Sequence, residues 1–505
     1  VQATGRRLPR PENKLAASKK ATNRKRHAED RPGSDFSPAC DRACGDLPVV
    51  SAAEPLSQPA PAGEASAVRG QENVTLAAWV GLAILVVMYI ASYLDRQIIS
   101  LMVDPIKQDL HLTDFQFSLL QGAAFATFYA VVAVPLGYLV DRYSRRMIIF
   151  GGMVIWSLAC GSCGLATNFV HLLVGRAGLG AGEAVLAPAG IALLGDSFPR
   201  NRMTLAINIF KIGALLGGVL SAIVGGLLLA WANGHGAVTL PVLGVLQPWQ
   251  QVLVLIGFPG VAAAFLAFLL PRVKRPRTAK APVPAFLPYV AQRKAYVATM
   301  FIGAALLTVP SFAGQAWGAA FLLRHYHLPI QQVGGVLGLM AIAPFMGFLF
   351  HGWLADRMFA RGNRFAHLMP GMWTPPLLVL TSFVGYVLVD DIRLFLPILF
   401  LNNFLLTCVT PLDGHIQASS PSAYRGRMAA FYGASQHLVG ISVGTSLVAF
   451  FTDYVFGDPR YVGWALAATT AVSAPLGMLI MFFGRHTAAR AAEMAIAAEP
   501  RAATA

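Results

Sequence analysis

From about residue 75 to about residue 484 the chain is a series of long apolar runs separated by short polar breaks. The runs predict helices near 75–101, 114–140, 147–167, 170–196, 203–231 and 249–271, then near 296–322, 331–355, 367–389, 393–416, 428–453 and 461–484. Each has the roughly 20 residues that a helix needs to cross a bilayer core of about 30 Å. Gly and Pro interrupt many of them, which membrane helices tolerate better than soluble ones. The predicted fold is an all-α integral membrane protein with twelve transmembrane helices.

Composition narrows the class further. Of 505 residues, 56% are hydrophobic and 12% charged, the latter about half the share in soluble domains. The mean hydropathy is +0.58. These values exclude a disordered chain, a collagen-like chain and almost every soluble enzyme class. The net charge of +15 does not make a nucleic-acid binder, because too little water-facing surface is left to carry a basic patch. Cys40 and Cys44 sit in a polar stretch. Cys160, Cys163 and Cys408 read as small packing residues in apolar helices, not as a disulfide framework or a zinc site.

Residues 1–73 lack apolar periodicity, and their twelve Lys/Arg face nine Asp/Glu. Such a segment cannot bury enough apolar surface to fold, and it has no apolar core of the signal-peptide kind. It is expected to be a disordered cytoplasmic tail, either touching anionic lipid or without a role. The chain opens at Val1, and its first Met is Met88, inside an apolar run. The expected reading is a non-Met start or an over-extended frame, with the true start at a valine such as Val68 or Val74.

Charge sets the orientation. Beyond the tail, 20 of 27 Lys/Arg fall in cytoplasmic loops or the C-tail if both termini lie inside. Only Lys107, Arg324, Arg393 and Arg460 fall outside. This is a strong positive-inside signal. The expected organisation is a tail (1–73), a six-helix half (74–271), a basic cytoplasmic linker (272–295), a second six-helix half (296–484) and a cytoplasmic C-tail (485–505). Richness in Ala, Gly and Arg suggests a bacterial inner membrane.

An internal repeat supports the two halves. GYLVDRYSRR, from Gly137 to Arg146, recurs as GWLADRMFAR, from Gly352 to Arg361, six spans later. Parallel six-helix repeats are a transporter architecture, with the substrate path between them. The loop suits a gate. Its Gly allows close helix approach, its Asp ends a helix near a neighbour's positive N-terminus, and its Arg residues reach carboxylates at the headgroup level. The candidate gating residues are Gly137, Asp141, Arg142, Arg145 and Arg146, with Gly352, Asp356, Arg357 and Arg361 in the second copy. The first copy is expected to join the halves on the cytoplasmic side when the cavity opens outward.

These two loops resemble the signature of the major facilitator superfamily. RAGLGAGEA (Arg176 to Ala184) resembles its fourth-helix motif, and GALLGGVLSAIVGG (Gly213 to Gly226) its fifth-helix Gly-rich motif without the usual Gly-Pro. Within the superfamily the Spinster-like branch is most similar. Its first-helix Asp-Arg motif and following loop match Ser92 to Gly122, and Gly182 to Gly190, Asp196 to Ala206, Ala316 to Arg324 and Arg425 to Ala430 also fit. The resemblance covers about residues 75–484. It implies a proton-linked transporter, with lysophospholipid or sphingosine phosphate among the branch's substrates. Ser92, Ser118 and Lys211 depart from the branch pattern, where Asn, Gly and a small residue are usual. Lys211 is expected to be a buried cation beside the cavity.

Ionisable groups inside apolar runs are few, and each costs about 2.5–3.5 kcal/mol at mid-membrane, so each is expected to face a cavity or a partner. Asp95 and Arg96 lie in the first run, Arg176 and Glu183 in the fourth, two turns apart on one face. Lys211 lies in the fifth. Asp95 is the candidate proton carrier, since Arg96 beside it could compete with the proton. Alternatively it belongs to a permanent ion pair joining spans 1 and 4, or Glu183 and Arg176 form that pair. Lys211 could equally snorkel. The C-terminal half offers Asp413 near a cytoplasmic end and an apolar wall that Phe301, Phe312, Trp317, Phe321, Phe345 and Phe404 could line. His325 and His327 read as solvated loop residues.

No HExxH and no GxxxxGK[ST] loop is present, so neither an enzyme nor an ATP-driven pump is expected. The predicted function is secondary active transport of a small organic or amphipathic, lysolipid-like solute by alternating access with proton coupling. A receptor or scaffold on the same fold is the rival, and a small organic anion the rival substrate. The expected partners are that substrate, protons and the bilayer, with no nucleic acid, no metal and no cofactor, for a monomer.

Overall fold

The computed structural model describes residues 74–241, 244–271, 286–421 and 424–498, and nearly all of them are helical. In hydrocarbon an unpaired backbone N–H or C=O costs several kcal/mol, so segments that bond internally win. Twelve helical stretches are long and apolar enough to cross a membrane. Spans 1–6 are Leu76–Leu101, Asp114–Ala133, Arg145–Cys163, Phe169–Ser197, Leu205–His235 and Pro248–Leu269. Spans 7–12 are Lys294–His325, Ile330–Ala360, Met369–Leu388, Ile392–Ile416, Arg427–Phe456 and Pro459–Ala491. All twelve predicted runs are found. The expected tail (1–73), most of the linker and the last residues of the chain lie outside the described residues.

Local signals fix the ends. Thr75 and Asn168 accept from backbone N–H groups of the helices they precede, and Thr113 forms a capping box with Gln116. The helix of span 12 continues to Ala498, beyond the predicted end at 484. Its Ala-rich extension has high helix propensity and needs no hydrocarbon around it. Helical irregularities are π-type at Leu119–Ala124, Ala298–Ile302, Val384–Leu388 and Phe451–Phe456. Between spans 5 and 6 a short antiparallel hairpin pairs β1 (Val238–Leu240) with β2 (Gly244–Leu246). The side-chain amide of Gln251 donates to the carbonyls of Gly236 and Leu246, tying this hairpin to span 6.

Within the first half, span 1 packs on span 5, and span 3 on spans 4 and 6; in the second, span 7 packs on spans 11 and 12. Span 5 meets span 8, and span 2 meets span 11, so these pairs join the halves. Trp156, Trp249, Phe125 and Phe210 are fully buried in the first half, and Met300, Leu307, Leu378 and Met481 in the second. Val131, Val174, Leu227, Trp373, Leu394 and Phe483 are exposed on the outside. Scattered exposed apolar side chains are ordinary, but an apolar perimeter this extensive needs hydrocarbon around it.

Candidate functional site: a buried charge cluster between spans 1 and 4

Span 1 carries Arg96 one residue after Asp95, so the two side chains leave the helix about 100° apart. Arg96 reaches span 4 and donates to Glu183 Oε2 from Nη2 at 2.5 Å and from Nε at 2.9 Å. The flat guanidinium is packed by Tyr93, Phe125 and Tyr129, with ring centroids 4.7, 4.5 and 5.7 Å from Cζ. Aromatic faces attract a cation and exclude water from it. The Arg96 side chain keeps 11% exposure while Glu183 has none. The second carboxylate oxygen of Glu183, Oε1, is buried without a hydrogen-bond partner.

Arg176 is equally buried but uses backbone acceptors. Its Nε donates to the Leu120 carbonyl at 3.3 Å and its Nη2 to the Arg96 carbonyl at 3.4 Å. Leu120 lies in the π-type stretch of span 2, where the changed bonding register frees carbonyls for outside donors. Asp95 is buried at 4% exposure. It feels the charges of Glu183 and Arg176, without an ion pair among the described residues. An ion pair does join spans 1 and 4, but it is Arg96–Glu183, with neither Asp95 nor Arg176 as its partner. Glu183 is held by Arg96, and not by Arg176 on its own helix, because the backbone carbonyls of spans 1 and 2 occupy the Arg176 guanidinium.

Lys211 is exposed, which corrects the expected buried cation. On its helix Phe210 stacks on Tyr89 with centroids 4.5 Å apart, and Gly213 lies against Val86. The face turned to span 1 thus belongs to residues 210 and 213, and Lys211 is rotated off it. Asp413 of span 10 is exposed as well.

The expected apolar wall is only partly a wall. Phe301, Trp317 and Phe321 are core residues, and the Trp317 indole donates to the Thr445 carbonyl at 3.0 Å. Phe345 is 44% exposed, and Phe404 packs on Phe350 and His351. Phe312 does approach the boundary between the halves, with its ring 6.0 Å from that of His437. His437 stacks on Tyr129 of the opposite half at 5.8 Å and 14°. Its Nδ1 lies 2.9 Å from the Gly433 carbonyl. In the sequence, His437 is marked only as a lone His within the apolar run of span 11.

Beyond this level, toward the end of the bundle away from the termini, the halves are fastened together. Gln97 donates to Gln315 at 2.8 Å. Arg324 of span 7 donates to Asp104 at 2.6 and 3.0 Å and to both oxygens of Asp114 at 3.1 Å. Lys107 also pairs with Asp114. The Phe115 backbone N–H donates to Asp453 at 2.6 Å. Small residues permit this approach. A methyl on Gly334 of span 8 would sit 2.3 Å from the Ala222 carbonyl oxygen of span 5, and one on Gly122 would sit 1.9 Å from Thr445 Oγ1. Arg324 was legible only as a loop cation, because its carboxylates are more than 200 residues away in sequence.

The repeated loops are described unequally. The surroundings of Gly137 and the side chains of Asp141 and Arg142 lie outside what is described. Arg145 pairs with Asp196 at the end of span 4, at 2.5 Å, and donates to the Ala192 carbonyl. This contact lies within the first half. Asp356, Arg357 and Arg361 are exposed, and the Arg357 guanidinium lies 5.5 Å from the Trp353 ring centroid. A methyl on Gly352 would meet nothing within 4 Å, so the expected helix contact is not made at that glycine. Cys160, Cys163 and Cys408 are buried free thiols, and no three potential metal ligands converge among the described residues.

Residues 85–445 match the family model of the Major Facilitator Superfamily. An efflux pump of that type from Mycolicibacterium smegmatis is 26% identical over 80% of this chain and 91% of its own length. A sphingosine-1-phosphate transporter of Mus musculus is 33% identical over 32% of this chain and 30% of its own length. Among solved structures, a bacterial homologue of the human lysosomal transporter Spinster, inward-facing and unoccupied, superposes with a TM-score of 0.71 at 19% identity. That match covers 85% of this chain and all of the other.

Proposed function

The chain belongs to the Major Facilitator Superfamily of transporters, and from that premise we propose that it is a proton-coupled secondary transporter of an amphipathic, lysolipid-like solute with an anionic head. The observation that carries this reading is the Arg96–Glu183 pair, buried among three aromatic rings at the boundary between the halves. Among the described residues, Glu183 meets only the Arg96 guanidinium within hydrogen-bonding distance, while that of Arg176 donates to backbone carbonyls. An anionic head that reaches Arg96 competes directly with Glu183. The displaced carboxylate then lacks a cation in a poorly hydrated site, and taking a proton removes that cost. Proton and substrate are thereby linked through one guanidinium. Asp95, buried beside Arg176 and Glu183, carries the coupling proton between the two sides. Tyr93, Phe125, Tyr129 and Phe312 supply apolar surface for the rest of the solute.

The fastened far end and the positive-inside charge pattern together support an inward-facing state, with both termini cytoplasmic. Similar proteins that bear hexuronate transporter names, such as one from Bacillus subtilis at 26% identity, favour a small organic anion as the second substrate reading. Both readings use Arg96 for the anion and differ in the use of the aromatic wall. The test is radiotracer flux into proteoliposomes under an imposed pH gradient, with sphingosine phosphate, a lysophospholipid and a hexuronate as solutes. Gradient-dependent accumulation of a lipid solute is expected. Accumulation of the uronate alone selects the second reading, and no response to the gradient for any of the three overturns proton coupling.

A further inference from the structure

The connection between spans 5 and 6 differs in chemistry from the others at the far end. From Ile212 to Pro271 the sequence holds no Asp, Glu, Lys or Arg. By contrast, the connections after spans 1, 9 and 11 carry charges such as Asp109, Asp391 and Arg460. The hairpin pairs Val238 with Leu246 and Thr239 with Val245. Directly paired residues share a face, and successive residues alternate between faces. One face is thus anchored by Leu246, buried at 3% exposure, while the other presents Thr239 and Val245, the latter 58% exposed. Pro241 beside them is exposed as well. A two-stranded ladder standing in water normally turns polar side chains to the solvent, and this one turns valine and proline.

The depth of the hairpin follows from its ties. Gln251, in the first turn of span 6, donates to the Gly236 carbonyl at 2.7 Å and to the Leu246 carbonyl at 3.0 Å. Both ends of the hairpin are therefore held at the level of that turn. From Gln251 to Leu269 span 6 is α-helical and then 3-10, a rise of about 30 Å, which is one hydrocarbon thickness. The basic linker follows at Arg272. The hairpin thus starts at the hydrocarbon edge of the far leaflet. Trp231, 49% exposed, stands about one turn deeper on span 5, its ring 4.7 Å from that of His235. Tryptophan gathers at the boundary between hydrocarbon and headgroups. Leu227 and Leu255, exposed on spans 5 and 6, continue the same apolar surface into the lipid-facing perimeter. We propose that the hairpin lies in the headgroup region of the far leaflet, with the face of Thr239 and Val245 on lipid, and seats the first half at a fixed depth. The partner is the bilayer surface itself, and the proposal does not depend on what is transported.

The test places a fluorescent probe on the hairpin of the full chain in phosphatidylcholine–phosphatidylglycerol proteoliposomes. Val245→Cys is labelled with a nitrobenzoxadiazole thiol reagent in a background of Cys40→Ala and Cys44→Ala, since Cys160, Cys163 and Cys408 are buried. Asp390→Cys, at a side chain 91% exposed at the same end, is the water-facing control. A lipid carrying a nitroxide near its headgroup should quench the Val245 probe several-fold more than the control, and iodide several-fold less. Thr239→Cys repeats the measurement from the paired position. Equal quenching at the hairpin and the control means that the hairpin stands in water and overturns the proposal. Shielding from both quenchers, with energy transfer between donor- and acceptor-labelled copies, makes the face a contact between two copies and also overturns it. In a second arm, Val245→Asp should lower lipid quenching of the Thr239 probe and raise iodide quenching. No change there means that apolar contact with lipid does not hold the hairpin, which overturns the proposal too. The labelled positions are exposed, so the first arm decides the matter even if Val245→Asp fails to fold.

Discussion

In the proposed mechanism Arg96 holds several links at once. It neutralises Glu183, stacks on three rings and retains a small exposed surface. Removing one partner of a buried pair typically costs about 3–5 kcal/mol, because the other charge is stranded. Arg96→Met and Glu183→Gln should therefore each destabilise the protein and impair flux. The double variant should be less harmful than the sum, since it strands neither charge. Thermal unfolding in detergent, followed by flux, reads this cycle, and strict additivity would show that the two residues act apart. Asp95→Asn makes a different prediction. It keeps the shape and removes a charge that has no ion pair, so folding and substrate binding should survive while pH-driven accumulation is lost. Wild-type accumulation in that variant would remove Asp95 from the coupling path. Both pairs of charged residues were legible in the sequence, because charges in apolar runs are conspicuous. Which cation meets which carboxylate was not, since residues 96 and 183 are joined only by packing.

At the level of the element, the spans depend on where their backbones may touch. Spans 5 and 8 approach so closely at Gly334 that a Cβ would meet the Ala222 carbonyl. Overpacking of this sort costs about 1–3 kcal/mol, and here it falls only on the state in which the far end is closed. Gly334→Ala should thus leave helix content unchanged and open the far end by about tenfold or more in population. Maleimide labelling of Ser446→Cys checks it, and unchanged labelling would mean that spans 5 and 8 separate by bending instead. Span boundaries were readable from hydropathy to within a few residues, because the bilayer sets a minimum length. The extension of the last helix to Ala498 was not, because it obeys helix propensity in water and not the hydrocarbon thickness.

The whole molecule is two six-helix halves, and in the proposed alternating access their equilibrium is set by contacts made at one end or the other. Arg324 fastens the far end through Asp104 and Asp114. Arg324→Ala should shift the population toward far-end opening. Asp141→Asn, in the loop expected to fasten the near end, should shift it in the opposite direction, by an amount equal to its differential contact energy. Cysteine accessibility measured from both sides of oriented vesicles distinguishes the two signs. A response of the same sign in both variants would show that the repeated loop serves folding and topology instead of gating.

The sequence by itself determined the class, the twelve spans and the two-half repeat, because these follow from local hydropathy, chain length and a motif recurring at a fixed offset. It also singled out the buried charges of spans 1 and 4. Only the tertiary structure decided that Glu183 belongs to Arg96, that Lys211 is turned off the face that meets span 1, that His437 stacks on Tyr129 and that Arg324 fastens one end. Each of these joins residues from different helices, and helix rotation and tilt are fixed by side-chain packing summed over the whole bundle. No local pattern encodes that sum, so the partners of a charge become visible only when all twelve helices are in place.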